Sequence, residues 1–329
     1  MKKRLDVLFR FAFLFFVLSW AVPRDGFAHG VVGQRFFPAT IAVDDPFVAD
    51  EMDFLGYQWI PNPDPTDSTH TRAESFWSGI SKRLTRDIGI QVKAAYTMDH
   101  FDGDENSVGF QNLGFGIMDQ MVKLPAHEFI FSSALNMNIG GTGTRGSFNH
   151  PIATPYSTLI PEIYFGYGFG ELPDSLGFLR PFAITGTADL AIPVTDGSSY
   201  GGTADYSTGD DFGLTLMYST MYLQSFVKDM GIPRPFSRMI PIVEFTWSNN
   251  VNGPSQFVTP TPAYAYPGIL WVGKYTEIGV EAVVPMNSAT GSQTGVQVLF
   301  HVFLDDWMPQ VFTRSVFGEV LGPTLPPGQ

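Results

Sequence analysis

The sequence contains no cysteine. This absence excludes disulfide bonds, thiolate metal sites and cysteine nucleophiles. Charged residues are also scarce, at 16% of the chain, and 32 acidic residues outnumber 19 Lys and Arg residues. Nucleic-acid binding needs clustered Lys and Arg for phosphate contacts, so we expect no nucleic-acid partner. After the N-terminal region, no run of 18 apolar residues occurs, which excludes a protein that crosses a membrane with helices.

Residues 1–28 have the pattern of a secretory signal peptide. Three basic residues at positions 2–4 precede an apolar run at 11–22, and the small residues Gly26 and Ala28 occupy the −3 and −1 positions of the expected cleavage site. The run is short for a membrane-spanning helix, although a retained anchor is the alternative. Cleavage removes five basic and two acidic residues, so the net charge changes from −13 to −16. The pattern predicts export into the cell envelope.

From Met52 onward, apolar and aromatic runs alternate with clusters of turn residues, which predicts an all-β fold. Many runs have a period of two. In "YTEIGVEAVVP" (275–285), Glu277, Gly279 and Glu281 alternate with apolar residues, as in a strand with two unlike faces. Twelve strands are predicted, at residues 52–60, 74–84, 88–98, 109–123, 128–140, 160–170, 178–193, 211–227, 239–249, 265–272, 275–285 and 294–304.

The connections between the predicted strands favour a membrane barrel. Short turns, such as residues 85–87 and 124–126, alternate with long polar loops, such as 61–73 and 141–159. This alternation is typical of transmembrane antiparallel up-and-down β-barrels of the outer membrane, in which the short turns are periplasmic. The alternative is a soluble β-sandwich or lipocalin-like barrel, but its interior would need an apolar face larger than the polar series can provide. We therefore expect a barrel of about twelve strands over residues 52–304, with both termini in the periplasm.

The polar face of the strands predicts which charged side chains line the lumen. These residues are Lys93, Glu162, Asp189, Glu244, Glu277, Glu281 and His301. If they border water, their mostly acidic character favours cations and repels anions. The alternative is that they pair with one another and with neighbouring hydroxyl groups, and so stabilise a filled barrel.

The C-terminal part of the sequence carries a family pattern. In "PGILWVGKYTEIGVEAVVPMN" (267–287), a Pro-Gly pair opens one strand, and after a tight turn the next strand ends in Glu281, Ala282, Pro285 and Asn287; "GVQVLFHVFLDDWMP" follows. With this pattern the chain resembles an outer-membrane β-barrel family associated with the meta-pathway of phenol degradation. More loosely, it resembles the barrels that transport long-chain fatty acids and aromatic hydrocarbons. The resemblance implies a barrel that passes small molecules, and it assigns no catalytic residues.

Residues 29–51 form an aperiodic segment that is either a plug or a periplasmic leader. In the fatty-acid transporter group an N-terminal segment plugs the barrel, so the resemblance implies that this segment enters the lumen and gates it. The residues assigned to this gate are Phe36, Phe37, Asp44, Asp45 and Phe47. The alternative is a leader that stays outside the barrel. At the other end of the chain, residues 305–329 are predicted to form a periplasmic tail.

Other candidate sites are weaker. His29 becomes the first residue after the predicted cleavage and offers an amine and an imidazole to a metal ion, but position alone supports this hypothesis. The acidic residues at 99–105 could hold Ca²⁺, but they lack the full spacing of a calcium loop, and a solvated acidic loop is the preferred interpretation. Some twelve-strand barrels are lipases that use a His and a Ser two residues apart. None of the six His residues here has such a Ser, so we expect no enzyme.

The sequence thus predicts a bacterial outer-membrane channel or transporter for small, hydrophobic or aromatic molecules. The alternatives are a narrow acidic pore that favours cations, and a structural or surface-binding barrel without transport. The expected partners are outer-membrane lipid and lipopolysaccharide, a small-molecule cargo and the barrel-assembly machinery. No cofactor is expected.

Overall fold

The computed structural model describes residues 30–147, 149–194, 208–222, 231–252, 261–312 and 315–316. Two short strands, β1 (Val31–Val32) and β2 (Arg35–Phe36), pair with each other near the start of the described chain. The remaining strands form one antiparallel sheet: β3 (Glu51–Pro61), β4 (His70–Arg83), β5 (Ile88–Phe101), β6 (Ser107–Phe110), β7 (Leu113–Leu124), β8 (Phe129–Ile139), β9 (Thr158–Gly168), β10 (Phe182–Pro193), β11 (Thr208–Tyr218), β12 (Met239–Asn252), β13 (Ala263–Val272), β14 (Thr276–Pro285) and β15 (Gly295–Phe303). The predicted signal peptide and His29 lie outside the described residues.

The sheet closes on itself into a twelve-strand barrel. Strand β3 pairs with β4 on one side and with β15 on the other, where Glu51 lies opposite Phe303. Closure pairs the first barrel strand with the last, β3 with β15, as a barrel in a membrane requires. Strands β6 and β7 together form the fourth strand, interrupted at residues 111–112. The predicted all-β, up-and-down barrel of about twelve strands is confirmed.

Several strand boundaries differ from the prediction by a few residues, and in two cases a predicted strand includes residues that leave the sheet. The predicted strand 178–193 begins at Phe182, because Asp174–Leu179 form a 3₁₀ helix. The Arg180 side chain stabilises this turn by donating from Nε to the carbonyl of Leu172, at 2.6 Å. The predicted strand 211–227 is observed as Thr208–Tyr218. Residues 219–222 lie outside the sheet, and residues 223–227 lie outside the described residues.

The outer surface of the barrel is apolar and the inner surface is polar. On β14, Val280 is 44% exposed on the outside, whereas Glu277 and Glu281 are each 1% exposed on the inside. Apolar side chains from strands around the barrel share the outward position, among them Val92, Phe115, Leu135, Ile163, Leu190, Phe212, Leu214 and Ile269. A soluble barrel would have the reverse arrangement, so the pattern is that of a sheet surrounded by lipid. Separately, no helix within the described ranges is long and apolar enough to span a membrane.

The barrel has two unlike ends. Tight turns, such as residues 84–87 and 273–275, lie at the short-turn end, where β3 begins and β15 ends. Longer connections, such as 140–157, lie at the opposite, long-loop end. After β15 the chain forms two helical turns at the short-turn end, Leu304–Trp307 and Pro309–Phe312.

Candidate functional site

Residues 30–50, here called the lumen segment, lie inside the barrel. Val43 contacts the wall at Gly213 of β11, where an added Cβ would lie only 2.8 Å from a Val43 methyl carbon. Val48 contacts Gly89 of β5, where the corresponding distance is 2.5 Å. Glycine at these two positions removes the side chain that would keep the segment away from the wall. The segment therefore fits against inward-facing positions on well-separated strands.

Glu244 on β12 binds the backbone of the lumen segment. Its Oε2 accepts hydrogen bonds from the N–H groups of Ile41 at 3.1 Å and Ala42 at 2.9 Å, and its Oε1 accepts one from Val43 at 2.9 Å. The hydroxyl of Thr215 also donates to Oε1, at 3.2 Å. Glu244 is completely buried, so this set of donors replaces the water that a carboxylate needs.

Arg35 holds the N-terminal part of the lumen segment at the short-turn end of the barrel. Its Nε donates to the Glu128 carboxylate at 3.1 Å, and its Nη1 donates to the carbonyl of Pro181 at 3.0 Å. Its Nη2 donates to the carbonyl of Arg180. The guanidinium carbon also lies 3.9 Å from the ring centroid of Tyr222. These four partners lie in three connections at the short-turn end: β7–β8, β9–β10 and β11–β12. One arginine side chain therefore binds the segment to all three connections.

Further contacts hold the second half of the segment. Lys93 of β5 forms an ion pair with Asp44. The Ser132 hydroxyl on β8 donates to the carbonyl of Pro46 at 2.6 Å, and Lys82 Nζ lies 2.8 Å from Asp50 Oδ2. The segment is thus bound to the wall along its whole length.

The residues assigned to the gate lie within this arrangement. The rings of Phe37 and Phe47 pack together with centroids 5.6 Å apart, and Phe36 packs against the same apolar cluster. The Asp45 carboxylate accepts the N–H of Phe47 at 2.9 Å and so caps the turn between them. The segment enters the lumen from the short-turn end, where Arg35 holds it.

Glu281 and His301 are buried and bonded to neighbouring side chains. Gln297 Nε2 donates to Glu281 at 2.6 Å, and Gln58 Nε2 donates to Gln297 at 2.8 Å. His301 lies with Nδ1 2.8 Å from Asp53 and Nε2 3.4 Å from Glu51. These groups form a bonded layer, and His301 also lines a second, smaller cavity of about 60 Å³ with Glu51 and Asp53.

Glu277 is also buried and lies opposite His301 in the strand register. The Glu277 side chain faces the same side of the sheet as Glu281, as the period of two predicts.

A cavity of about 450 Å³ remains in the lumen beside the segment. Three carboxylates on adjacent strands, Glu162, Asp189 and Asp211, lie next to one another in register along its wall. Asp44 and Lys93 contribute to the same cavity, so four acidic groups and one basic group line it. Uncharged polar groups complete the lining: Gln91, Asn136, Asn138, Thr187, Thr246 and Ser248. The volume is within the usual range for small-molecule sites.

The predicted lumen residues therefore separate into two groups. Lys93, Glu162 and Asp189 meet at the cavity. The others lie against the lumen segment or in the bonded layer: Glu244, Glu277, Glu281 and His301.

Sequence reasoning missed Asp211 and the Arg35–Glu128 pair. Asp211 stood at the first position of a predicted strand, and its alternation with Gly213 and Thr215 was the available signal for an inward side chain. Arg35 lies in the aperiodic segment and Glu128 is the first residue of the predicted strand 128–140, 93 residues later, so no pattern in the sequence joins them.

Of the acidic residues at 99–105, Asp99 lies in β5, and residues 102–105 form a turn. Asp104 accepts the N–H of Glu105 at 2.7 Å and lies 3.3 Å from His150 Nε2. The Glu105 N–H and the His150 ring lower the pKa of the Asp104 carboxyl. Within the described part of the chain, no group of three or more His, Asp or Glu residues is arranged to hold a metal ion.

Comparisons with known proteins support the fold alone. No family model matches the chain, and no curated protein matches it. Among solved structures, an outer membrane channel from Pseudomonas putida F1 has 9% identity and a TM-score of 0.51, over 78% of this chain and 96% of that chain. The NanC porin has 5% identity and a TM-score of 0.44 over 76% and 98% of the two chains, respectively. The chain thus has the fold of outer-membrane β-barrel proteins, whereas the resemblance to the phenol-degradation family stays a prediction.

Proposed function

We propose that the protein is an outer-membrane channel for small molecules, closed at rest by its lumen segment. The observation that carries this proposal is the lumen segment itself, which enters the barrel from the short-turn end and returns to that end beside a polar cavity of about 450 Å³. Wall side chains fill the interior of a barrel of about eight strands, whereas this barrel has twelve strands and holds a separate segment in its lumen. A removable occupant, by contrast, allows the same barrel to close and to open.

The surface chemistry supports a location in the bacterial outer membrane. Apolar side chains such as Phe115, Ile163 and Phe212 face outward, where lipid would solvate them. The predicted signal peptide would deliver the chain to the periplasm, from which the barrel-assembly machinery would insert it. Lipid and lipopolysaccharide are then its permanent neighbours.

The cavity favours a cationic or polar cargo over an apolar one. Its lining holds Glu162, Asp189 and Asp211 with several amide and hydroxyl groups, and carboxylates concentrate cations by Coulomb attraction. This observation supports the alternative of a narrow, cation-favouring pore. A hydrophobic or aromatic cargo rests on the family resemblance and stays a prediction.

Planar-bilayer conductance tests the channel and its closure together. We expect the full-length protein to show low conductance, and deletion of residues 31–50 to raise it several-fold, because the deletion empties the lumen. A salt gradient across the bilayer then gives the ion selectivity, which we expect to favour cations. Unchanged conductance after the deletion contradicts the proposal and favours a barrel without transport.

A further inference from the structure

We infer that Glu244 is the anchoring residue that keeps the lumen segment in its closing position. This inference rests on the proposed function only for its consequence, which is control of the channel. The anchoring role itself is a claim about the position of residues 41–43 in the lumen. It can be tested without any transport measurement.

The backbone of the segment is shaped around the Glu244 carboxylate. Three successive N–H groups, from Ile41 to Val43, point at its two oxygens at 2.9–3.1 Å. Successive backbone N–H groups that converge in this way form an anion-binding concavity. The Thr40 hydroxyl donates to the carbonyl of Val43 and closes the turn from the other side. The segment thus presents a preformed anion site, and Glu244 occupies it.

Because Glu244 is buried against the segment, the charge of its carboxylate decides how strongly it holds the N–H groups of residues 41–43. Its carboxylate is fully buried between Thr215 on β11 and the segment, with Glu281 and Tyr266 as the ionisable neighbours from the adjoining strands. Hydrogen bonds to an ionised acceptor are roughly twice as strong as those between neutral groups. A glutamine at this position keeps one acceptor oxygen and turns an N–H₂ donor toward the N–H groups of the segment. We therefore expect Glu244→Gln to leave buried donors without an acceptor.

The absence of cysteine from the chain gives a direct readout. Val43 is 1% exposed and is sealed against Gly213, so a Val43→Cys variant carries a single thiol that is protected while the segment is seated. Labelling of this thiol by a maleimide measures how often the segment leaves its position. In the folded, full-length protein, we expect Glu244→Gln to accelerate labelling about tenfold, the factor that follows from the loss of roughly one hydrogen bond.

A matched control separates the anchor from a general effect of charge. Glu74→Gln also removes a carboxylate from the barrel wall, but Glu74 pairs with Arg72 at 3.2 Å and not with the segment. We expect Val43→Cys combined with this control substitution to be labelled at the same rate as Val43→Cys alone. If Glu244→Gln lowers the yield of folded barrel, Ala42→Pro serves as the second variant, because it removes one of the three donors without changing the barrel wall. Rates in Glu244→Gln and Ala42→Pro that equal the Glu74→Gln rate overturn the inference.

The conductance and labelling experiments test the channel function and the anchoring role of Glu244 separately. If deletion of residues 31–50 leaves the conductance unchanged, the proposed function fails, while the labelling rates still report on Glu244. If the deletion raises the conductance but Glu244→Gln labels no faster than the control, the channel stands and the anchoring role of Glu244 is wrong.

Discussion

Arg35 and Glu128 form an ion pair with Nε 3.1 Å from Oε2, and their side chains are 0% and 6% exposed. Glu128 also accepts the backbone N–H of Gly170 at 3.1 Å. The pair therefore joins the start of the lumen segment to two connections at the short-turn end. Because burial removes both charges from water, each group depends on the other and on its remaining hydrogen bonds.

We expect Arg35→Ala to detach the N-terminal end of the segment. Removal of one partner from a buried pair costs about 3–5 kcal/mol, because the other charge is left uncompensated. Limited proteolysis of the folded barrel should then cut within residues 30–40 much faster than in the wild type. Arg72→Ala is the control, since Arg72 is 48% exposed and its pair with Glu74 is of the kind worth about 0–1 kcal/mol. Equal proteolysis in the two variants would contradict the role of Arg35.

We expect a disulfide to form between cysteines at positions 48 and 89. The position of a Cβ on Gly89 lies 3.5 Å from the Cβ of Val48, at the lower end of the Cβ–Cβ range of about 3.5–4.5 Å for disulfides. Val48→Cys combined with Gly89→Cys should therefore change its mobility in a non-reducing gel. Val48→Cys with Gly177→Cys is the control, because a Cβ at Gly177 meets nothing within 4 Å. If neither pair forms a bond, the segment does not occupy this position.

We expect Lys93→Gln to make the pore more cation-selective. Lys93 is the basic side chain among the described cavity residues, and it pairs with Asp44. Its removal leaves the carboxylates of the cavity without a compensating charge. The reversal potential under a salt gradient should move toward the cation limit. Lys123→Gln, which removes a lysine paired with Asp87 at the short-turn end, should leave the selectivity unchanged.

The loop beyond β5 should loosen in acid. The pKa of Asp104 is lowered by the Glu105 N–H and by His150. A lowered carboxyl pKa means that the contact stabilises the docked loop above the ordinary Asp value, ~3.9, and is lost as pH falls through the lower, folded value. Asp104→Asn should therefore speed hydrogen exchange at His150 and Ile152 near neutral pH. The difference from the wild type should vanish well below pH ~3.9.

Asp102→Asn is the control for this loop. It removes a carboxylate from the same loop without touching the contact with His150. If both variants change the exchange rates equally, a general charge effect accounts for the result and the specific pair does not.

Period-two alternation predicted the barrel and its lumen face from the sequence. The rule placed Glu277 and Glu281 on the side opposite Val280, and the structure shows this arrangement. Alternation depends only on neighbouring residues, because the strand backbone sends successive side chains to opposite faces. The rule therefore works wherever a strand is regular, and it fails where the chain leaves the sheet, as at Asp174–Leu179.

The contacts inside the barrel could not be predicted from period-two alternation. The Ile41 and Glu244 bond joins residues 203 positions apart, and it exists only after the sheet has closed. The lumen segment has no period of its own, because its side chains meet different strands one after another. The family resemblance suggested a plug, but it gave no indication of which wall residue would bind it.

The continuity of the lumen segment with β3 at Glu51 makes closure an intramolecular reaction. The effective concentration of such a tethered group is on the order of millimolar, whatever the dilution of the protein. Each contact can therefore be weak while the segment still occupies the lumen most of the time. In the proposed channel, a cargo molecule then competes with an occupant that is always present, so the external cargo concentration and not the amount of barrel would determine how often the path is free.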